Sequence, residues 1–179
     1  MIKLGGDSIS GWQRLASVIL ATTIGECPLL RFVLGKGPIV SVCLILHFDG
    51  SCYPNPGGRA SYGWHIDVEH AGSSTDRLAD GHGAVTDNPT SNNIAEWRGL
   101  EAGLRWLSCW RSPVEHLTIV GDSQLVLNQL RGDWRCKKAH LGKLRDTCQK
   151  ILSEAGWEWT ATWVPREQNA EADALAAIG

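Results

Sequence analysis

Residues Cys43–Ser51 read CLILHFDGS, a short apolar run with β-branched and aromatic members that closes on Asp-Gly-Ser. A run of this length bounded by glycine predicts a buried central strand. An ionised carboxylate in a dry core costs far more than one strand residue contributes. Asp49 is therefore expected where the strand leaves the core and meets water or a cation. Taken alone, the stretch favours a plainer alternative, a turn, because Asp-Gly is good turn chemistry. The carboxylates further along the chain reverse that order.

The chain has 179 residues, enough for one domain with a real core. Its 43% hydrophobic and 20% charged residues are ordinary for a soluble globular protein. A formal net charge of −2 counts against bulk nucleic-acid binding by overall basicity and leaves the question to local charge. Six cysteines show neither a CxxC pair nor Cys/His zinc spacing, so they read as reduced thiols of an intracellular, cytoplasmic protein. No uninterrupted apolar run approaches ~18 residues, so neither a transmembrane helix nor a membrane partner is expected. Nine tryptophans are expected in the core or along a groove wall.

Residues 1–38 form an N-terminal arm of unknown role. Within it Trp12–Ile24 has an amphipathic helical pattern. Lys3 and Arg14 before Ala16–Ile24 hint at a signal peptide, but Asp7 and the lack of a small-x-small cleavage site argue against one. Gly35-Lys36-Gly37-Pro38 reads as a linker, so residues 39–179 make the main domain.

Beyond Asp49, a Pro/Gly-rich loop (Pro54–Gly58) precedes two further strands, Ser61–Glu69 and Arg77–Val85, in an antiparallel meander. Ile94, Trp97, Leu100, Leu104 and Leu107 recur at helical spacing, so Ile94–Trp110 is a long amphipathic helix capped by Ser91–Asn93. His116–Val120 is a fourth strand, followed by a helix over Gln124–Leu130 with Ser123 as its cap. Ala139–Ala155 is a third helix, Trp157–Val164 a fifth strand, Pro165–Asn169 a loop and Ala170–Ile178 a terminal helix. The order β-β-β-α-β-α-α-β-α implies an α/β fold with a mixed sheet and helices on its faces.

Asp49 and Asp122 each close a buried strand, Glu96 falls in the first turn of the long helix, and Asp173 near the start of the last. Four carboxylates brought together repel unless a positive charge neutralises them. Hard oxygen ligands suit Mg²⁺ or Mn²⁺, and two such ions about 3.5–4 Å apart can drive a phosphodiester displacement. Read singly, Glu96 and Asp173 are equally helix-start carboxylates favoured by the dipole, and Asp122 an ordinary strand-to-helix turn.

Four stretches in this order, HFDGSCYPNPGG, TSNNIAEWRGLEAGL, TIVGDSQLVLNQL and WVPREQNAEADALA, resemble the type 1 ribonuclease H family from about Leu44 to Ala177. The resemblance implies a ribonuclease H-like five-stranded mixed sheet, three strands antiparallel and the later ones added in parallel. It implies hydrolysis of the RNA strand of an RNA/DNA hybrid, leaving 5′-phosphate and 3′-hydroxyl ends. It puts two Mg²⁺ ions, with Mn²⁺ as a substitute, on Asp49, Glu96, Asp122 and Asp173 as catalytic metal ligands. It also gives Asn92, Asn93 and Gln124 the minor groove and ribose hydroxyls, and Asn55 and Ser91 a phosphate of the DNA strand. Turn and helix-cap roles for Asn55 and Ser91–Asn93 stand beside that reading.

Between Arg131 and Lys150, seven Lys/Arg against two Asp give a local charge of +5. Trp134, Arg135, Lys137 and Lys138 read as substrate contacts, because a basic segment with an interleaved aromatic suits a DNA-strand groove. Lys143, Arg145 and Lys150 are equally a solvated helix face. The chain departs from many family members in lacking a His in the loop before Asp173. Arg166, by holding a phosphate or a cap, or Glu167, by steering an ion, is expected in its place. No protein partner is implied, and a monomer is expected. The competing readings are a differently specific nuclease of the superfamily (transposase, resolvase or exonuclease-like) and a non-catalytic nucleic-acid-binding member.

Overall fold

The structure, a computed structural model, describes residues 41–70 and 74–179. The N-terminal arm and its linker lie outside the described residues. Five strands, β1 (Val42–Tyr53), β2 (Arg59–Glu69), β3 (Thr75–Ala84), β4 (Val114–Gly121) and β5 (Trp159–Trp163), form one sheet in the order β3-β2-β1-β4-β5. β1–β2 and β2–β3 are antiparallel, β1–β4 and β4–β5 parallel. The four helices are α1 (Asn92–Ser108), α2 (Gln124–Arg131), α3 (Ala139–Ala155) and α4 (Ala170–Ala176). The mixed sheet with helices on both faces is the fold the sequence implies.

Alternation in β1 sorts its side chains. Leu44, Leu46 and Phe48 are buried, and they point toward α1: a Cβ on Gly103 of that helix would meet Leu46 Cδ1 at 2.5 Å. Trp97, Leu100, Leu104 and Leu107 of α1 are fully buried above them. Each such residue contributes about 1.5–3 kcal/mol by leaving water. Helix α3 packs against α1 through Leu141, Leu144, Cys148 and Leu152. The opposite face of the sheet carries α4, whose Ala172 and Ala176 backbone sits directly over Gly63. No helix among the described residues is long and apolar enough to cross a membrane.

Several element ends differ from the sequence expectation. β1 does not stop at Asp49 but stays paired with β2 as far as Tyr53 opposite Arg59. The Asp-Gly pair is thus strand, and the turn begins only at Pro54. β5 is shorter than the alternating run that suggested it, and the loop before α4 contains a 3-10 turn over Arg166–Gln168. The five cysteines among the described residues are free thiols.

Candidate active site

The strand pairing opens a notch beside Asp49. β4 accompanies β1 only as far as Val120 opposite His47, while β2 accompanies it six residues further. Beyond His47 the β4 flank of β1 is therefore open. Asp49 stands on that flank, and Asp122 follows the last residue of β4. Asp49 thus reaches the site from the middle of a strand, because its parallel neighbour ends first.

Glycine supplies the third side. A Cβ at Gly50 would lie 2.1 Å from the backbone nitrogen of Glu96, and one at Gly99 would lie 2.9 Å from the carbonyl oxygen of Asp49. Only bare backbone on both elements lets α1 descend this far onto β1. Helix α1 starts at Asn92, and no acidic residue occupies its first turn. Glu96 is therefore one turn deeper than expected, and the helix-dipole reading of it does not hold. One carboxylate oxygen each from Asp49, Glu96 and Asp122 lies within 4.8 Å of the others.

Asp49 and Glu96 are both only 5% exposed. Burial, then the charges of Asp122 and Asp173, raise the Asp49 carboxyl from its ordinary 3.8 to about 7. Burial, then the charge of Asp49, hold Glu96 well above the usual carboxylate range. Buried oxygens Glu96 Oε2 and Asp122 Oδ1 have no hydrogen-bond partner. Convergent, underbonded hard oxygens of this kind fit a divalent cation such as Mg²⁺ or Mn²⁺.

Asp173, the fourth expected ligand, lies outside that closest trio. It sits in the first turn of α4, and Arg166 donates to its Oδ1 at 2.5 Å. Its charge still raises both Asp49 and Glu96. Arg166 is thus ion-paired with Asp173 while its side chain stays largely exposed. Glu167 is exposed and lines a neighbouring cavity.

Asn55, Ser91, Asn92 and Asn93 are brought together at the start of α1. Asn55 Oδ1 accepts the backbone N–H of Asn92 at 3.1 Å, tying the loop after β1 to the start of α1. Gly57 N–H to Thr90 O at 3.0 Å and Thr90 Oγ1–H to Gly58 O at 2.6 Å stitch the two loops further. Ser91 caps α1, its side chain accepting from the Ile94 N–H. Asn93 occupies the first turn, and Gln124 is exposed one residue past Ser123. Ser123 takes the N-cap position of α2 without the expected side-chain cap bond.

The basic segment divides. Arg131, Arg145 and Lys150 are ion-paired with Asp133, Asp146 and Glu154. Trp134, Arg135, Lys137 and Lys138 are exposed between α2 and α3, with no ion pair among the described residues. Lys143 is exposed on α3.

Two supports escaped the sequence reading. Buried Asn169, just before α4, donates from Nδ2 to the Phe48 carbonyl at 2.8 Å and accepts from His47 at 3.3 Å. It fastens the Asp173 helix to the strand of Asp49. Arg98 holds Asp87 through two nitrogens at 2.8 and 2.7 Å and also reaches buried Glu101. This pins the loop that leads into Ser91 and the start of α1. An Asn before a helix is an ordinary cap signal, and Arg98 and Asp87 are eleven residues apart, so neither role shows in local pattern.

A strand order of β3-β2-β1-β4-β5 with carboxylates converging from β1, α1 and the end of β4 defines the ribonuclease H-like class. A family model described as "Reverse transcriptase-like" matches residues 47–179. Ribonuclease HI of Halobacterium salinarum is 34% identical over 130 residues, covering 73% of this chain and 60% of that protein. The N-terminal ribonuclease H domain of Rv2228c from Mycobacterium tuberculosis, solved as a fusion with maltose binding protein, is 35% identical at TM-score 0.65, covering 77% of this chain and 93% of that one. LC11-RNase H1, solved in complex with an RNA/DNA hybrid, is 25% identical at TM-score 0.65, covering 76% and 95%. The chain spans only 34% of the full-length bifunctional protein Rv2228c. The chain belongs to the type 1 ribonuclease H family.

Proposed function

We propose that this chain is an endonuclease that hydrolyses the RNA strand of RNA/DNA hybrids, with Mg²⁺ as its ion, leaving 5′-phosphate and 3′-hydroxyl ends. One observation carries the reading. Three separated elements deliver Asp49, Glu96 and Asp122 to one point within 4.8 Å, and two of the three keep a buried oxygen without a partner. Asp49, Glu96 and Asp122 would hold the ions, with Asp173 at their edge. Bound there, such ions supply an activated water and stabilise the leaving oxygen of the phosphodiester.

The chain's own residues do the rest. Without a cation the site holds a proton near neutral pH, because burial and mutual repulsion disfavour full ionisation; the carboxylates would release it to hold a cation. Arg166 orients Asp173 and offsets part of the charge. Asn92, Asn93 and Gln124 can both donate and accept, which suits 2′-hydroxyls and base edges in a wide minor groove. Asn55 and Ser91 lie together at the start of α1 for a backbone phosphate. Trp134, Arg135, Lys137 and Lys138 suit the DNA strand through stacking and charge. A related ribonuclease H1 in complex with a hybrid supports this substrate.

The test is cleavage of a labelled RNA/DNA hybrid with Mg²⁺ and with Mn²⁺, beside double-stranded DNA, double-stranded RNA and single-stranded RNA. Cutting confined to the hybrid's RNA, lost with EDTA and in Asp122→Asn, is expected. An unchanged rate for Asp122→Asn would overturn the metal assignment, and cutting of another duplex would overturn the substrate.

A further inference from the structure

A second group of ligand-type side chains lies on the α4 face of the sheet. His47 of β1 and His65 of β2 are directly opposed in the ladder. Their rings stack with centroids 4.4 Å apart and planes 10° apart. Asp67 lies two residues along β2. One ligand atom from each of His47, His65 and Asp67 falls within 4.8 Å of the other two. A cavity of about 260 Å³ opens beside them, walled also by Glu167, Asn169 and Glu171.

A second observation concerns a single atom. His65 is 4% exposed, and its Nδ1 has no hydrogen-bond partner. That nitrogen stands 3.3 Å from Asp67 Oδ2, within ion-pair reach but not aligned for a hydrogen bond. An unmet buried nitrogen costs about 1–3 kcal/mol. Two ligands of one tetrahedral ion, each bonded at about 2.0–2.1 Å, are themselves about 3.3 Å apart. The separation that fails as a hydrogen bond is the one an ion between these atoms requires.

We propose that His47, His65 and Asp67 form a second cation site, separate from the carboxylate trio, for a borderline-soft divalent ion of the Zn²⁺ class. His65 binds through Nδ1 and Asp67 through Oδ2. His47 binds through Nε2, since its Nδ1–H donates to Asn169 Oδ1. Glu167 or water from the cavity completes the set. The surrounding bonds are of the kind that orient metal ligands. Arg77 Nε donates to Asp67 Oδ1 at 2.6 Å, which leaves Oδ2 free. Arg77 also pairs with Glu171, so Asp67, Glu167 and Glu171 together still outweigh its charge.

Ligand chemistry separates the two sites. Imidazole nitrogen prefers Zn²⁺, Co²⁺ or Ni²⁺, whereas the all-oxygen trio prefers Mg²⁺ or Mn²⁺. Binding requires the His47 ring to swing out of the stack while His65 Nδ1 and Asp67 Oδ2 keep their 3.3 Å separation, because an ion must lie in the plane of each ring that ligates it. The cavity beside His47 gives that ring room.

The test is Zn²⁺ binding by the full chain in millimolar Mg²⁺, followed by competition with a chromophoric chelator, together with the visible spectrum after Co²⁺ is added. One equivalent of Zn²⁺ retained against Mg²⁺ is expected, with strong d–d bands from a nitrogen-ligated Co²⁺. His47→Gln and Asp67→Asn should each weaken binding by at least about tenfold, and Asp122→Asn should leave it intact. The proposal is overturned if Mg²⁺ displaces the Zn²⁺, if Asp122→Asn abolishes retention, or if both variants bind as the parent does. Should either variant fail to fold, the Co²⁺ spectrum of the parent decides: weak, octahedral, oxygen-type bands overturn the site.

Discussion

Replacing Asp49 by Asn should stabilise the metal-free protein while abolishing its activity. The carboxyl is raised from 3.8 to about 7, a difference of about 3 pK units, and each unit corresponds to about 1.4 kcal/mol. Between pH 4 and 7 the folded protein holds a proton that the unfolded chain has released. Stability therefore falls as pH rises through that window, and the loss is complete above pH 7. The ceiling is about 4 kcal/mol, and because Asp122 and Asp173 share in the repulsion that follows burial, roughly half of it is expected from Asp49 alone. At about 3 °C per kcal/mol for a domain of this size, Asp49→Asn should melt roughly 6 °C higher than the parent at pH 8 in EDTA. The difference should vanish near pH 4. Mg²⁺ should raise the parent at pH 8 far more than the variant. Thermal melts followed by circular dichroism across this pH range, with and without Mg²⁺, read all three. A variant no more stable at pH 8, or a gain that ignores pH, would refute the reasoning.

Gly50→Ala should cost about 3 kcal/mol or more through overpacking against the α1 backbone, with hybrid cleavage falling far more than the melting temperature explains; denaturant titration and rate assays separate the two. Arg98→Ala leaves Glu101 with Arg105 alone and frees the partly exposed Asp87, so about 1–2 kcal/mol of stability should be lost, and KM for hybrid should rise more than kcat falls. Lys137→Ala combined with Lys138→Ala should reduce the slope of log affinity against log salt by about 2 if both reach phosphates, with melting unchanged. Gln124→Ala should lower kcat/KM on hybrid by about tenfold through a lost hydrogen bond to the substrate, with Mg²⁺ affinity untouched.

Local pattern carries most of the fold. The 3.6-residue spacing of Leu141, Leu144, Cys148 and Leu152 delimits α3 at Ala139–Ala155, because a buried stripe and a terminal Gly156 in the left-handed conformation mark the helix and its end. The convergence of Asp49, Glu96 and Asp122 is legible only through the order of four motifs, since no spacing within one motif brings strands and helix together. Asp49 read as a strand end because its own neighbours cannot tell that β4 stops before β1 does. Taken alone, Asp-Gly favoured a turn because close approach and turn geometry call for the same residue. The Arg166–Asp173 pair spans a helix start, where short sequence separation does not fix geometry. The facing of His47 and His65 depends on β1–β2 register, a non-local quantity.

The glycines at positions 50 and 99 make the spacing between Asp49 and Glu96 a matter of main chain lying on main chain. Side-chain contacts can be retuned by exchanging one rotamer or one methyl group for another; a peptide resting on a peptide has no such adjustment. The hydrophobic layer around Leu46, Leu104 and Trp97 can therefore drift in composition without moving the two carboxylates relative to each other. The tolerance of the core and the intolerance of the two glycines are one property seen from opposite sides.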